Sequence, residues 1–229
     1  MRTLTLLVIL LARLSFCEIL FTDDFSDGDD DGWTRSGGAG YHVIQGKYFI
    51  HSQSTRGQGR SINGDIYGAM STGDYSILCS IEVECGTEAG VSARFCGADQ
   101  WHYRLVFKPY TGTVLLERKK DTGPTVVMDD YLVSPGYHNS YWVRLQVEGS
   151  LVRARVWTGT VENEPSEWHL EAIDSSQQNP GSFYLFAGGY GKVSWSSIFD
   201  DVVVSTPLEQ ALVQTTWASL KQKADEIER

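Results

Sequence analysis

Between Gly90 and Lys119 the chain reads GVSARFCG, a short polar break, then QWHYRLVFKPYTGTVLLERKK, and its apolar residues recur at every second position. A period of two is the period of an extended strand, whose successive side chains leave opposite faces. Val91, Ala93 and Phe95 are thereby expected on one face of a first strand, and Trp101, Tyr103, Leu105 and Phe107 on one face of the next. Ser92, Arg94 and Cys96, then His102 and Arg104, fall on the opposite side. The pattern predicts a sheet with one packed and one polar face, and it places Trp101 and Tyr103 in the core.

The same alternation repeats along the chain. Strands are expected over Ile19–Phe25, Tyr67–Met70, Tyr75–Cys85, Val91–Cys96, Trp101–Phe107, Thr113–Lys119 and Thr125–Val133, each bounded by a turn signal such as Thr111-Gly112. YHVIQGKYFIHS predicts a hairpin bent at Gln45-Gly46, and Trp142–Val147 with Leu151–Trp157 another, around Glu148-Gly149-Ser150. NEPSEWHLEAID adds a short pair of segments, and GSFYLFAGGYGKVSWSSIFDDVVV closes the sheet region. QSTRGQGRSINGD, polar and rich in glycine, reads as a surface loop. No helical period appears from Ile19 to Val204, and about thirteen short strands without an internal helix predict an all-β sandwich or barrel.

Both ends differ from this body. MRTLTLLVILLARLSFC has a basic start, an apolar run too short to span a bilayer and a compact end near Cys17, which predicts a secretory signal over residues 1–17. Acylation of Cys17 is disfavoured by the bulky Phe16 before it. Residues 18–206 then form the sandwich. From Pro207, LEQALVQTTWASLKQKADEIER carries Val213, Trp217, Leu220, Ala224 and Ile227 as one apolar seam, predicting a helix over 207–229 that docks on its own domain or meets a protein partner.

With 19 basic and 29 acidic residues the chain carries a net charge of −10, and removal of residues 1–17, with Arg2 and Arg13, leaves 17 against 29, or −12. Nucleic acid and anionic membrane surfaces are poor partners on that balance. Processing would leave Cys79, Cys85 and Cys96, an odd number. If a hairpin closes at residues 86–89, one register sets Cys79 opposite Cys96. The register that matches apolar faces, Ile81 with Ala93 and Val83 with Val91, separates the thiols and is preferred.

That register sets Glu82 and Glu84 beside Ser92 and Arg94, with His102 and Arg104 on the following strand. Tyr190 and Trp195 flank a glycine-rich bend. Stacking rings and multidentate polar groups are what a saccharide needs, so Glu84, Arg94, His102, Arg104, Tyr190 and Trp195 are the candidate ligand-binding residues. Cross-strand ion pairing on a wetted face is the alternative. Glu82 and Glu84, two apart on one strand face, also approach the spacing of about 5 to 5.5 Å between the carboxyls of a retaining glycosidase, which makes them the catalytic candidates. Nucleophile elbow, zinc-ligand spacing and phosphate loop are absent from the sequence.

The order DDFSDG…GW, GKYFI, GVSARF followed by W-x-Y, W-V-R-L-x-V with its EG turn, and a closing FDDVVV resembles concanavalin A-like, laminin G-like jelly-roll domains of secreted bacterial carbohydrate-active and surface proteins. The resemblance covers Ile19 to Ser205. It implies two antiparallel sheets with first and last strands adjacent, a glycan ligand on one sheet face or its rim, and a structural Ca²⁺ near the junction. In this chain that junction would bring Asp23, Asp24 and Asp27 to Asp200 and Asp201. Sandwich glucanases of this fold carry E-x-D-x-x-E, whereas SIEVEC supplies no third acid. A secreted or periplasmic carbohydrate-binding module is the leading expectation, with a glycoside hydrolase and an adhesion or scaffold module as the others.

Overall fold

Alternation becomes strand wherever glycine and polar turn residues let the chain reverse, and it does so fifteen times among the described residues. In chain order the strands are β1 (Ile19–Asp23), β2 (Trp33–Ser36), β3 (Gly40–Ile44), β4 (Lys47–Ser52), β5 (Arg56–Asn63), β6 (Tyr75–Cys85), β7 (Glu88–Phe95), β8 (Trp101–Lys108), β9 (Thr113–Lys120), β10 (Thr125–Leu132), β11 (Ser140–Glu148), β12 (Leu151–Trp157), β13 (Leu170–Ile173), β14 (Ser182–Tyr190) and β15 (Trp195–Ser205). One short 3₁₀ turn, Val161–Asn163, precedes β13. The computed structural model describes residues 18–54, 56–63, 70–97, 101–120, 123–134, 136–191 and 194–207, and Ile19–Pro207 form one unit. The expected signal over 1–17, the strand over 67–70 (apart from Met70, which is not in a strand) and the helix beyond Pro207 lie outside the described residues.

The strands form two antiparallel sheets. Sheet A runs β13-β12-β11-β6-β15-β4-β3, with β1 added on β15, and sheet B runs β10-β9-β8-β7-β14-β5-β2. First and last strands are neighbours, Asp23 standing opposite Val202. Ile77, Cys79, Ile81, Val143, Leu145, Val152 and Ala154 of sheet A meet Val91, Ala93, Tyr103, Leu105, Phe107, Leu116 and Leu185 of sheet B in one buried core. Tyr103 is therefore core as expected. Trp101 at the start of β8 is half-buried, with the Arg118 guanidinium 4.4 Å and the Lys120 ammonium 5.3 Å from its ring.

Three local expectations are corrected. The glycine-rich stretch expected to be a surface loop is β5, an internal strand of sheet B between β14 and β2. Its glycine is a packing requirement: a Cβ on Gly59 would meet Ala39, the Ile50 Cγ2 at 2.8 Å and the Trp195 ring at 3.1 Å. Secondly, β6 and β7 do not pair in either register, because they belong to different sheets. Gly86, at φ +115°, turns the chain, and the Thr87 amide already donates to Gly188 of β14, so the link crosses from sheet A to sheet B. Cys79, Cys85 and Cys96 are free thiols, as the preferred register required, although that hairpin does not exist. Thirdly, β7 carries a bulge where Arg94 takes φ 57°, and the alternation changes phase there. Phe95 consequently leaves the face of Val91 and Ala93 and packs with Ile62, Val106, Tyr184 and Phe186 on the other side of sheet B.

Candidate functional site

That other side is the polar face anticipated from the sequence, and strand register makes its composition explicit. Residues directly opposite in an antiparallel pair share a face. Ile62 stands opposite Tyr184, Tyr184 opposite Ser92, Ser92 opposite Arg104, and Arg104 opposite Glu117. These five form one row across sheet B, turned away from the core. His102 lies one step along, opposite Lys119, and Arg60, Phe186 and Val106 lie one step the other way. Beyond them Glu88 closes the face beside Gln58 and Lys108.

Arg104 is the centre of the row. Its Nη2 donates to Glu117 Oε2 and its guanidinium lies 4.8 Å from the Phe186 ring, yet Nε and Nη1 find no hydrogen-bond partner among the described residues. Arg104 and Glu117 are each 3% exposed, and Ser92, with its hydroxyl likewise unbonded, is fully buried. Unmet donors at that depth cost about 1–3 kcal/mol each. Tyr184 and His102 share a hydrogen bond of 2.9 Å between hydroxyl and Nε2, and Phe95 meets both rings edge-on.

Glu88 accepts from Lys108 Nζ at 2.6 Å and Gln58 Nε2 at 2.8 Å. Burial pushes its pKa upward, but the charges of Arg104 and Lys108 with these two hydrogen bonds outweigh burial and hold it below the usual carboxylate range. Lys119 is depressed, first by burial and then by repulsion from Arg104.

The structure separates the candidates that the sequence grouped. His102 and Arg104 do share a face. Arg94 does not join them: at the bulge its side chain turns into the loops, donating to the carbonyls of Gly73 at 2.7 Å and of Gly149 and Gln177 at 2.8 Å, and to Asp74 at 3.0 Å. Glu82 and Glu84 do alternate outward, but on sheet A, where Ser140 and Ser196 donate to them. Trp195 is 1% exposed in the core and rests on the bare backbone of Gly59 and Gly189, while Tyr190 stands out at 65% exposure. Glu88 and Glu117 are not among the expected residues, the first because it falls in an expected loop. Glu117 was legible from the alternation of Leu115, Glu117 and Lys119 opposite Arg104.

The acids at the β1/β15 junction do come near one another, since Asp24 and Asp201 both repel charge on Asp200. Asp23 spends both oxygens on the Phe25 amide and the Trp33 indole, Asp24 caps Ser26, Asp27 caps Asp29, and among the described residues no three His, Cys, Asp or Glu converge to hold a metal. Nor is any helix among those residues long and apolar enough to cross a membrane.

The two-sheet antiparallel sandwich is shared with solved structures at the level of fold. No family model and no curated protein matches the sequence. Among solved structures, a prokaryotic beta-1,3-1,4-glucanase (lichenase) derived from a mouse hindgut metagenome superposes with TM-score 0.58 at 13% identity, covering 82% of this chain and 99% of its own. The carbohydrate-binding module CBM66 from Bacillus subtilis gives 0.57 at 15%, covering 76% and 96%. The exoplasmic/lumenal domain of VIP36 in its Ca²⁺/Man3GlcNAc-bound form gives 0.56 at 9%, covering 85% and 91%, and that domain has also been solved metal-free.

Proposed function

We propose that this chain is a secreted, lectin-like carbohydrate-binding module whose ligand lies on the outer face of sheet B. The observation that carries the reading is the Arg104 row: unbonded Nε, Nη1 and Ser92 Oγ buried beside the Tyr184 and Phe186 rings. Saccharides offer many hydroxyls and apolar ring faces together, which is the complement of such a surface. That CBM66 and a mannose-bound VIP36 domain share the fold supports the reading. With the row at 0–3% exposure, association is expected to be slow.

Hydrolysis fits less well. A glycosidase needs one carboxyl kept protonated to serve the leaving oxygen, whereas Glu88 is held ionised. Glu82 and Glu84 lie on the other sheet. Nothing in the reading passes through calcium.

Retention on immobilised polysaccharides and a glycan array, run with the full chain, tests the proposal. Ser92→Ala and Tyr184→Phe each remove one polar atom, and each is expected to weaken the retained glycan about five- to tenfold, as one buried hydrogen bond does. Retention on nothing, or retention indifferent to both substitutions, sinks the reading and favours a scaffold with its contact elsewhere.

A further inference from the structure

Resting on that reading, the charge of the face narrows the ligand class. On the outer side of β5, β14, β7, β8 and β9 stand Arg60, Arg104, Lys108 and Lys119 against two carboxylates, Glu88 and Glu117. Asp130, exposed, follows on the edge strand β10. This is a local excess of positive charge in a chain whose net charge is −10. Both inner carboxylates are already taken, Glu117 by Arg104 Nη2 and Glu88 by Lys108 and Gln58. Two donors of Arg104 therefore remain to a newcomer, and among the described residues the Lys119 ammonium, one register step away, bonds only the Thr125 hydroxyl, at 3.2 Å.

A neutral sugar hydroxyl meets the hydrogen-bonding need of a guanidinium but not its charge. A carboxylate or sulfate ester meets both, through charge-assisted bonds roughly twice as strong as neutral ones. We infer that the ligand is an acidic saccharide, its anionic group taken by Arg104 Nε and Nη1 with Lys119 beside them. Burial, and after it repulsion from Arg104, depresses the lysine, and that repulsion is relieved when an anion arrives.

The test uses matched polymers on the full chain: dextran, dextran sulfate and polygalacturonate, with affinity followed against salt. Tight, salt-sensitive binding to dextran sulfate or polygalacturonate is expected, and the stronger of the two identifies the anion as sulfate or carboxylate. Lys119→Gln, half-buried and outside the core, is expected to weaken that binding about tenfold, the equivalent of 1.4 kcal/mol. A net negative chain has no general attraction for polyanions, so retention reports this face. Binding to dextran or other neutral glycans alone, or Lys119→Gln without effect on the acidic polymers, overturns the inference and leaves the glycan-binding reading standing. Binding to no saccharide removes both.

Discussion

Arg94 offers the sharpest contrast between a binding and a structural role. Its side chain is fully buried, and it donates to three loop carbonyls and to Asp74, while its amide donates to the Tyr75 hydroxyl at 2.6 Å. The ion pair is the minor part: Asp74 is 48% exposed, and an exposed partner is worth at most about 1 kcal/mol. The carbonyls are the major part. Arg94→Met keeps the stem and removes all donors, leaving the acceptors of Gly73, Gly149 and Gln177 with nothing unless water enters. At about 1–3 kcal/mol for each unsatisfied group, and with some of these loops able to hydrate, a loss of about 4 kcal/mol follows. Urea unfolding of the full chain measures it, and the melting temperature should fall by roughly 8–16 °C for a domain of this size. Asp74→Asn should cost under about 1 kcal/mol. If Arg94→Met stays within about 1 kcal/mol of the parent while glycan retention disappears, Arg94 is a ligand residue and the reasoning is wrong.

Asp200 is pushed up to about 6, first by burial and then by Asp201 beside it. A carboxyl raised in the fold stabilises it at low pH and loses that contribution as pH rises through about 6, so Asp200→Asn should stabilise the chain at pH 8 by about 1 kcal/mol, discounted for its partial exposure, and not at pH 4. An equal effect at both values would refute the assignment. Glu164 carries the opposite sign. Burial would raise it, but hydrogen bonds and charge from Arg144 and Arg155 hold it below its ordinary range. Its contribution is present above the unfolded value of 4.5 and fades as pH falls through the folded one. Glu164→Gln should therefore cost about 3–5 kcal/mol in neutral denaturant melts and markedly less near pH 2. Gly59→Ala forces a methyl against Ile50 and Trp195 and should cost about 1–3 kcal/mol by the same melts; an unchanged midpoint would mean that the ring has room to move.

Strand content was readable because alternation is a local property, and β6, β8 and β12 begin where the pattern begins. Partnership was not readable in the same way. Cys85 and Glu88 are separated by two residues, which suggests a hairpin, yet Thr87 bonds β14 and the chain changes sheet. Nor does alternation report an inserted residue, so the bulge at Arg94 reversed the assignments of Arg94 and Phe95 together. β5 was hidden for a third reason. Its glycines weaken strand propensity, but they admit the Trp195 ring, and tertiary packing overrides the local preference. Of the site, His102 and Arg104 were legible because they precede the next break in register. Glu117 required only the following strand. Glu88 required knowledge of the crossing.

The two sheets each hold an ionic group on the outer face, and their difference argues that the one on sheet B is there for a ligand. On sheet A the group closes on itself. Glu164 accepts from Arg144 Nε at 2.6 Å, Arg144 Nη2 at 2.8 Å and Arg155 Nη1 at 2.6 Å, and Arg144 Nη1 donates to Ser76. Arg155 leaves only Nε unbonded, and the Trp168 ring lies 3.8 Å from its guanidinium. On sheet B the arginine is as deeply buried but keeps two of its three nitrogens open. A buried ion group can usually be exchanged for apolar residues without loss of stability, so stability alone gives no reason to retain either. For the closed group, alignment of the 161–164 turn over the sheet is reason enough. For Arg104 no loop is held and no carbonyl is capped by the open nitrogens. A guanidinium fixed by Glu117 and Phe186, with Nε and Nη1 unbonded among the described residues, fits the proposed reading, in which its acceptor arrives from outside the chain.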